Sequence, residues 1–486
     1  MSDFEKLEKL SHIYKSVPIY KVISQDGMKS IEIFKILKNV SRHCFILESL
    51  EDKNDTGRYT FLGYNPKLEI SCKDGVLIIK NGADFSIKSD NPKEYIQKII
   101  DDNKSPKFDD LPPFTGGLVG YFSYDFIKYT ERSLKIEGED AENFKDADLM
   151  LFDKVIAFDN LKGEIFLIIN IQTNAFSENY NKAVNELENI EHLIKNGKKA
   201  DIPKLKLTSK FNALFDKSEY CAMVEKAKNH IKEGDIFQVV LSNRFDAQAN
   251  GSLFETYEIL RRINPSPYMF YFSSDKVEIA GASPETLVKL NGKKVSTFPL
   301  AGTRARGADE NEDKRLEKEL LNDPKELAEH NMLVDLGRND IGKISRFGSV
   351  KVENYLSIIR FSHVMHIGSV VNGEIRDDKN ALDAIDAVLP AGTLSGAPKV
   401  RACEIIHALE GNRRGIYGGA IGYISFTGDM DTCIAIRIAC KKDGRVYVRS
   451  GAGIVAESIA ENEFEECANK AKAVMNALIL ASGEAK

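Results

Sequence analysis

The chain has 486 residues, enough for two to three domains or for one large composite core. Hydrophobic residues make up 43% and charged residues 29%, as in an ordinary soluble globular protein, and the net charge of −6 argues against a broad nucleic-acid-binding surface. The apolar runs are too short to span a membrane and the N-terminus lacks the features of a signal peptide, so we expect a cytoplasmic protein.

Cysteine usage excludes further classes of site. The seven cysteines are scattered, and no two have the C-x-x-C spacing of a zinc or redox motif. None lies in a Gly-x-Cys-x-Gly turn, so the sequence shows no activated thiol nucleophile. Tryptophan is absent from the chain.

The pattern of apolar and turn residues predicts antiparallel β-structure in the first half and a mixture of helices and strands in the second. Residues 1 to about 40 are predicted to be helical. Strands are predicted at 44–49, 58–64, 68–70, 76–79, 155–158, 165–169 and 234–242, and helices at 178–196, 218–233, 253–263 and 378–388. The Lys-rich stretch 198–210 has little periodicity, and we interpret it as the boundary between an N-terminal region, 1–200, and a C-terminal region, 211–486.

A helix is also predicted over 324–336. Asp323 suits the N-cap, Pro324 suits the first helical position, and Glu326 stands where a capping box has its acid. Gly337 is interpreted as the stop signal.

This helix has two glutamates on a face that points toward protein. Glu326 and Glu329 are three residues apart, and Leu333 and Leu336 continue the same stripe. Glu463 and Glu466 repeat the spacing near the C-terminus. Two such faces could enclose a hard divalent cation, for which Mg²⁺ fits best, although two solvated acidic helix faces would look the same.

Gly-rich turns at 390–399, 414–420 and 451–454 expose backbone N–H groups to anions. The first lacks the P-loop spacing and the last has no βαβ unit around it, so neither predicts a nucleotide site. With Arg437 and Lys470, these turns suit a small substrate with several carboxylates. Glu285 could act as a general acid and His366 as an acid or base, although a single Glu or His is more often structural.

Motifs spread over nearly the whole chain match a known family: Leu47-Glu48-Ser49, Gly234-Asp235-Ile236-Phe237-Gln238-Val239-Val240, Pro267-Tyr268-Met269, Ala282-Ser283-Pro284-Glu285, Gly302-Thr303-Arg304, Glu329-His330, Asp335-Leu336-Gly337-Arg338-Asn339-Asp340, Gly392-Thr393-Leu394-Ser395-Gly396-Ala397-Pro398-Lys399, Asp431-Thr432-Cys433 and Gly451-Ala452-Gly453. The sequence resembles the chorismate-utilising enzymes, and within that family the large (component I) subunits of anthranilate synthases. The resemblance implies an α+β fold, an antiparallel β-sandwich of two large sheets flanked by helices.

The resemblance also implies a Mg²⁺-dependent reaction of chorismate with ammonia that gives anthranilate and pyruvate, the first step of tryptophan biosynthesis. Mg²⁺ would be held by Glu329 and Glu466, with Glu326 and Glu463 in support. The implied substrate-binding residues are Gly302, Thr303, Tyr417, Arg437, Gly451, Ala452, Gly453 and Lys470. The implied catalytic residues are Glu285, which protonates the departing C4 hydroxyl, His366, which serves the loss of pyruvate, and Thr393 in the same pocket.

Two positions separate sister reactions within the family. Isochorismate and salicylate synthases have a Lys base where this chain has Gln238, which cannot take a proton from water. Aminodeoxychorismate synthases typically have a Lys where this chain has Ala301. Aminodeoxychorismate synthase component I and a non-catalytic chorismate- or metal-binding regulatory protein are the alternatives. The second alternative does not explain the complete set of Glu285, Glu329, His366 and Glu466.

Ammonia needs a source, and the sequence shows no glutaminase cysteine. The resemblance therefore implies a partner glutamine amidotransferase subunit, in a heterodimer or heterotetramer. It further implies feedback inhibition by tryptophan at the junction of the two regions, through Glu48, Ser49, Pro267, Tyr268, Met269 and Cys433. In that pocket we expect the tryptophan ammonium at Glu48 and the indole beside Met269 and Cys433.

Overall fold

The structure is a computed structural model that describes residues 4–50, 57–136, 138–361 and 364–483. The helices within these ranges are α1 Phe4–Ser11, α2 Ser30–Val40, α3 Pro92–Asp101, α4 Phe176–Asn196, α5 Lys217–Lys232, α6 Phe254–Ile263, α7 Glu310–Leu321, α8 Pro324–Gly342, α9 Ala381–Val388, α10 Lys399–Glu410 and α11 Ala460–Ala481. Short 3₁₀ turns lie at Tyr124–Tyr129 and Gly392–Leu394. Among the described residues, no helix is both long and apolar enough to cross a membrane.

The strands in the first half of the chain are β1 Ser16–Ser24, β2 Cys44–Glu48, β3 Tyr59–Tyr64, β4 Leu68–Lys73, β5 Val76–Asn81, β6 Ala83–Lys88, β7 Gly117–Phe122, β8 Ala147–Phe152, β9 Lys154–Asp159, β10 Glu164–Gln172, β11 Lys206–Leu207, β12 Asn212–Ala213 and β13 Gln238–Asn250. Those in the second half are β14 Tyr268–Ser273, β15 Val277–Ser283, β16 Thr286–Asn291, β17 Lys294–Thr297, β18 Leu300–Ala305, β19 Lys351–Arg360, β20 Val364–Glu374, β21 Gly396–Ala397, β22 Ala420–Ser425, β23 Met430–Ile434, β24 Ile438–Lys442 and β25 Arg445–Ile454.

These strands form two large antiparallel sheets. The first has 13 strands in the order β1-β10-β9-β3-β2-β14-β15-β24-β25-β13-β11, with β12 and β21 also paired to β13. The second has 12 strands in the order β18-β20-β17-β16-β23-β22-β7-β8-β4-β5-β6, with β19 also paired to β20. Both sheets contain strands from either side of residues 198–210, so this boundary along the chain does not separate two sheets.

Three hydrophobic layers hold the sheets and helices together. The layer between the sheets contains Phe45 and Phe270 of the first sheet and Val119 and Ile421 of the second. The outer face of the first sheet is covered by helices that include α2, α4, α6 and α11, and the outer face of the second by α3, α8 and α9. An inner strand such as β10, which lies between β1 and β9, is therefore buried on both sides, which explains its continuous apolar run. The predicted α+β sandwich with flanking helices is confirmed.

Two predictions about the extent of helices are wrong. Residues 16–24, expected to be helical, form β1, which pairs along its whole length with β10. Gly337 does not end the helix, since α8 continues to Gly342. A Cβ atom at Gly337 would lie 3.1 Å from Cγ2 of Thr297 and 3.4 Å from Cγ2 of Val371. The glycine allows α8 to pack closely on the second sheet, so its role is in packing and not in capping.

Candidate active site

Two of the connections that carry the chain from one sheet to the other, β15 to β16 and β23 to β24, lie side by side. The connections are hydrogen-bonded to each other: the N–H of Ile434 donates to the carbonyl of Glu285 at 2.9 Å, and the N–H of Ala282 donates to the carbonyl of Arg437 at 3.2 Å. The candidate acid Glu285 and the candidate carboxylate-binding residue Arg437 therefore lie on neighbouring segments, where inner strands of both sheets end.

Glu285 has the environment of a carboxyl group that stays protonated. Its side chain is 9% exposed. Burial raises its pKa to about 8, against smaller opposing effects of the Thr393 hydroxyl and the Lys470 ammonium. The Thr393 hydroxyl donates to Oε1 of Glu285 at 3.1 Å from the 3₁₀ turn Gly392–Leu394. The structure thus brings together two of the three predicted catalytic residues.

The third, His366, lies opposite a bulge in β18. Regular pairing of β18 with β20 is interrupted between Ala301 and Arg304, and this interruption contains Gly302 and Thr303. Nδ1 of His366 lies 2.8 Å from the Gly302 carbonyl and 3.1 Å from the Thr303 hydroxyl. Burial lowers the His366 pKa, as do the charges of Arg437 and Lys470, against the opposing effect of the hydrogen bond to Gly302, so the imidazole is neutral at neutral pH. With Nδ1 donating to a carbonyl, Nε2 carries the free lone pair.

The backbone at Gly302 closely approaches the side chain of Glu326. Its φ of +66° favours glycine, and a Cβ atom there would lie 3.1 Å from Oε2 of Glu326. The bulge therefore lies directly against the predicted metal-binding helix α8.

On the first sheet, the glycines of β25 leave room for side chains that cross the site. A Cβ atom at Gly451 would lie 3.0 Å from the Tyr417 hydroxyl, and one at Gly453 would lie 2.8 Å from Nε2 of Gln238. The Lys470 ammonium donates to the Gly451 carbonyl at 3.2 Å. Ala452 packs on the opposite face of the strand, in the cluster beneath α5, so only its backbone faces the site.

Arg437 and Lys470 form the cationic part of the site. The Arg437 guanidinium donates to the Lys470 carbonyl at 3.0 Å, and burial lowers the Arg437 pKa. Arg437 also has a φ of +54°, which non-glycine residues rarely adopt, in the connection between sheets. A half-buried guanidinium held this way can bind a carboxylate in two parallel hydrogen bonds.

Helix α8 begins as predicted and presents its glutamates to the site. The Asp323 carboxylate accepts hydrogen bonds from the N–H groups of Lys325 and Glu326, which confirms the N-cap. Glu326 does not complete a capping box. Its carboxylate is bound by Arg304 at 3.3 Å, and Arg304 also binds Asp323 at 2.8 Å. The sequence analysis assigned no role to Arg304, although this residue directly follows Gly302 and Thr303 of the bulge.

The two Glu-x-x-Glu faces influence each other across the space between α8 and α11. Burial, followed by repulsion from Glu326 and Glu466, raises the pKa of Glu329. Burial, followed by repulsion from Glu466, raises the pKa of Glu463, while Lys470 and a hydrogen bond from Ser458 oppose it. Within the described residues, no hydrogen bond or ion pair holds the Glu329 carboxylate.

This donor set fits a hard divalent cation. All four groups are carboxylates, their like charges repel, and they stand on two helices as an open arrangement that leaves positions for substrate or water. One of the four carboxylates is already paired with a cation of the site, since the Lys470 ammonium lies 2.6 Å from Oε1 of Glu466. A tighter cluster of possible ligands in the described ranges is His230, Glu233 and Asp235, where Asp235 binds Arg401 at 2.8 Å.

Sequence reasoning missed a buried ion pair that supports the catalytic turn. Arg414 and Glu410 are both fully buried and lie 2.6 Å apart. The Arg414 guanidinium also donates to the carbonyls of Leu394 and Val240, each at 2.6 Å. It therefore ties the turn that carries Thr393 to strand β13. Their i,i+4 spacing at the end of α10 was the available sequence signal.

The residues predicted for tryptophan binding fall on two sides of β14. Glu48 and Met269 are opposite each other in the pairing of β2 with β14, and Met269 packs in the outer cluster of the first sheet. The Glu48 carboxylate accepts hydrogen bonds from the Tyr257 hydroxyl and from Arg261, whose Nη2 lies 3.0 Å from Oε2. Glu48 is therefore already neutralised by a protein cation.

Tyr268 and Cys433 instead belong to the layer between the sheets. The Tyr268 hydroxyl lies 2.7 Å from Asp431 and 2.8 Å from the Thr286 hydroxyl. Pro267 precedes it and is half-buried. The Ser49 hydroxyl is buried and has no hydrogen-bond partner among the described residues. The structure does not bring the Met269 side chain beside Cys433.

Residues 42–476 match the model of the chorismate binding enzyme family. Anthranilate synthase component 1 of Acetivibrio thermocellus is 45% identical over 484 residues, which cover 98% of this chain and 97% of that protein. Anthranilate synthase component 1 of Aquifex aeolicus (strain VF5) is 44% identical over 490 residues, with 98% and 97% covered. The crystal structure of anthranilate synthase component I from Streptococcus pneumoniae TIGR4 has a TM-score of 0.74 at 40% identity, covering 88% of this chain and 93% of that chain. The chain belongs to the chorismate-binding enzyme family, among the anthranilate synthase component 1 proteins.

Proposed function

We propose that this chain is the large subunit of an anthranilate synthase, a lyase that converts chorismate and ammonia to anthranilate and pyruvate. The observation that carries the proposal is the buried Glu285 carboxyl, whose pKa of about 8 keeps it protonated at neutral pH in a site that also holds Lys470. A site that only bound an anion would have no use for a buried carboxyl group with a proton to donate.

In the first step, ammonia attacks C2 of chorismate, the ring double bonds shift, and the C4–O bond breaks. The Glu285 carboxyl donates its proton to the departing C4 hydroxyl, which leaves as water. The new C2 ammonium group releases a proton to solvent. Thr393 keeps the Glu285 carboxyl in one orientation through its hydrogen bond.

In the second step, C2 loses its hydrogen and the C3–O bond to the enolpyruvyl group breaks. The released enolpyruvyl group takes a proton on its methylene carbon and becomes pyruvate, while the ring becomes aromatic. His366 suits this step because its neutral imidazole has a free Nε2 that can accept a proton. Its bond to the Gly302 carbonyl holds the ring in one tautomer.

The substrate carboxylates would be bound by Arg437 and Lys470 and by the backbone of Gly302, Thr303 and Gly453. Tyr417 would complete this set at the first sheet, and Gly451 and Ala452 would contribute their backbone. We assign Mg²⁺ to Glu329 and Glu466, with Glu326 and Glu463 in support. When bound, the ion supplies positive charge for a substrate carboxylate.

Two residues favour ammonia over the nucleophiles of the sister reactions. Gln238 is 4% exposed, and its Oε1 has no hydrogen-bond partner among the described residues. An amide accepts no proton from water at neutral pH, so hydration of chorismate lacks a base here. Ala301 has no nucleophilic atom, so a covalent route through that position is closed.

The ammonia would come from glutamine through a separate glutamine amidotransferase subunit, and the complex would work in the cytoplasm. The names of the relatives, anthranilate synthase component 1, support the existence of a second component.

We further propose that tryptophan inhibits this enzyme at the junction of β2 and β14. The buried Ser49 hydroxyl offers an unused hydrogen-bonding group, and Tyr268 and Cys433 offer an apolar surface for an indole. Because Arg261 already neutralises Glu48, that carboxylate would bind the tryptophan ammonium only by sharing or exchanging its partner.

The test is turnover of chorismate by the purified chain with ammonium and Mg²⁺. Anthranilate fluorescence and pyruvate release, measured with lactate dehydrogenase, should rise together, and glutamine should not replace ammonium until the amidotransferase is added. An aminated product without pyruvate would instead identify the aminodeoxychorismate reaction. Saturable chorismate binding without any turnover would identify a regulatory protein.

A further inference from the structure

The loop 411–419, which connects α10 to β22, is held in place by a segment from the first half of the chain. The loop contains two residues of the candidate active site, Arg414 and Tyr417. The segment is the 3₁₀ turn Tyr124–Tyr129, which follows β7, and its first two residues contact the loop. None of the residues assigned above to substrate, metal or tryptophan belongs to this turn.

Both backbone polar groups of Gly415 are bound by the turn. The Gly415 N–H donates to Oδ2 of Asp125 at 2.8 Å, across a separation of 290 residues in the chain. The Gly415 carbonyl accepts a hydrogen bond from the N–H of Tyr124 at 2.9 Å. The path of the loop at Gly415 is therefore set by residues that lie outside it.

The same turn packs on the residue before Gly415. The guanidinium carbon of Arg414 lies 4.6 Å from the centroid of the Tyr124 ring and 5.9 Å from that of the Tyr417 ring. Arg414 is also fixed by its hydrogen bonds to the catalytic turn and to β13, as described above. The backbone that leads from Arg414 to Tyr417 is held by the turn at Gly415.

Asp125 is a buried carboxylate whose one hydrogen bond among the described residues goes to this loop. Its side chain is 2% exposed, and its Oδ1 has no partner there. Burial, followed by repulsion from Asp146, raises the Asp125 pKa to about 6 against the opposing effect of the Gly415 bond. The charges of Lys128 and Arg413 also oppose the rise, so the group is largely ionised at neutral pH. A hydrogen bond to an ionised acceptor is stronger than one to a neutral acceptor.

The Tyr417 hydroxyl has a closely defined position. Its side chain is 6% exposed, and a Cβ atom at Gly451 would lie 3.0 Å from the hydroxyl. The Gly451 carbonyl accepts a hydrogen bond from Lys470, so Tyr417 and Lys470 meet the same residue of β25. In a preorganised site, a displacement of about 1 Å can lower activity about 10²-fold. A shift of the loop at Gly415 would move this hydroxyl away from the substrate.

We propose that Asp125 is a positioning residue for substrate binding, which acts through Gly415 to keep the Tyr417 hydroxyl where a carboxylate of chorismate binds. The inference rests on the function proposed above, in which Tyr417 is one of the substrate-binding residues. Because Tyr417 contacts a carboxylate and not the reacting atoms, loss of its position weakens the ground state and the transition state equally. The effect therefore falls on KM for chorismate and not on kcat.

The test measures kcat and KM for chorismate by anthranilate fluorescence, at saturating ammonium and Mg²⁺. Asp125→Ala should raise KM about tenfold, the effect of one lost hydrogen bond to a charged group, and leave kcat within about threefold. Asp125→Asn, whose amide oxygen can still accept from the Gly415 N–H, should have a KM within about threefold of wild type. Asp146→Asn is the matched control: Asp146 is equally buried and accepts hydrogen bonds from Lys128 and Tyr129, but from no described residue of the loop. Its KM should equal that of wild type.

A double variant tests whether Asp125 acts through Tyr417. Tyr417→Phe alone should raise KM, and Asp125→Ala added to it should raise KM no further, because the hydroxyl that Asp125 positions is gone. If Asp125→Ala shows no cooperative melting transition, Asp125→Ser replaces it in every comparison, since the shorter serine side chain does not reach Gly415.

Three outcomes would overturn the inference: a wild-type KM in Asp125→Ala, a fall in kcat at unchanged KM, or effects that multiply in the double variant. A wild type that does not turn over chorismate would instead overturn the proposed function, and this inference with it.

Discussion

The hydroxyl of Thr393 lies 3.1 Å from Oε1 of Glu285, although 108 residues separate the two in the chain. The bond orients a carboxyl group whose burial alone would keep it neutral, and Arg414 fixes the turn from which the hydroxyl comes. An acid with one orientation and a pKa of about 8 is suited to protonate a leaving hydroxyl at neutral pH.

Glu285→Gln should lower kcat with ammonium by roughly 10²–10⁴-fold, because the amide cannot donate the proton that the leaving hydroxyl needs. In the wild type, kcat/KM should fall as pH rises through about 8, the pKa of Glu285. The measurement is anthranilate fluorescence at a constant concentration of unprotonated ammonia. A variant with a kcat within threefold of wild type would contradict the assignment.

The same substitution should stabilise the fold at alkaline pH. The Glu285 pKa is raised from 4.5 to about 8 in the folded state, so between these pH values the folded state holds a proton that the unfolded state has lost. The free energy of unfolding of the wild type therefore falls as pH rises from 4.5 to 8. The amide has no such dependence. The melting temperatures of wild type and Glu285→Gln should therefore be similar near pH 5, and at pH 8 the variant should have the higher melting temperature.

Thr393→Val should reduce kcat about tenfold through the lost hydrogen bond. It should also move the alkaline limb of the pH profile to higher pH, because the Thr393 hydroxyl lowers the Glu285 pKa. Thr393→Ser keeps the hydroxyl and should resemble wild type in both respects. If the Thr393→Val and Thr393→Ser variants have the same kcat and pH profile, the hydroxyl of Thr393 has no role and only the shape of its side chain matters.

Glu329→Gln should reduce turnover at limiting Mg²⁺ by at least about 10–100-fold. A second readout is thermal: Mg²⁺ should raise the melting temperature of wild type, whose glutamates repel without it, but not that of the variant. Glu466→Gln should behave in the same way. Asp335→Asn, at an exposed position of α8, is the control and should respond to Mg²⁺ as wild type does.

His366→Met should slow the loss of pyruvate more than the addition of ammonia. Methionine cannot accept a proton, while Glu285 and Thr393 remain in place for the first step. Chromatography of quenched reactions should therefore show an aminated intermediate that still carries the enolpyruvyl group. If neither step proceeds, the hydrogen bond to Gly302 serves the architecture of the bulge and not one half-reaction.

Ser49→Phe should abolish tryptophan binding by filling the proposed pocket, and Ser49→Ala should weaken it about tenfold through the lost hydrogen bond. The chain contains no tryptophan, so indole emission in a titration comes from the ligand alone. If tryptophan and chorismate oppose each other, each must weaken the other by the same factor. Wild-type emission that does not saturate at millimolar tryptophan would count against the site.

Local chemistry alone determined several features of this protein. The Asp323 cap was predictable because a short acceptor side chain before a proline-initiated helix satisfies the first N–H groups wherever the helix lies. The spacing of Glu326 and Glu329 on one helical face followed from the helical period. The motifs that resemble chorismate-utilising enzymes led to the sandwich of two sheets, because they cover nearly the whole chain.

Tertiary structure decided what depends on contacts between distant segments. Arg261, 213 residues from Glu48, neutralises that carboxylate, and no local pattern signals this pairing. Gly337 reads as a helix stop in sequence but serves the packing of α8 on the second sheet. The pKa of Glu285 also depends on tertiary structure. Its value reflects burial between two connections that join the sheets, and burial is a property of everything packed around a residue.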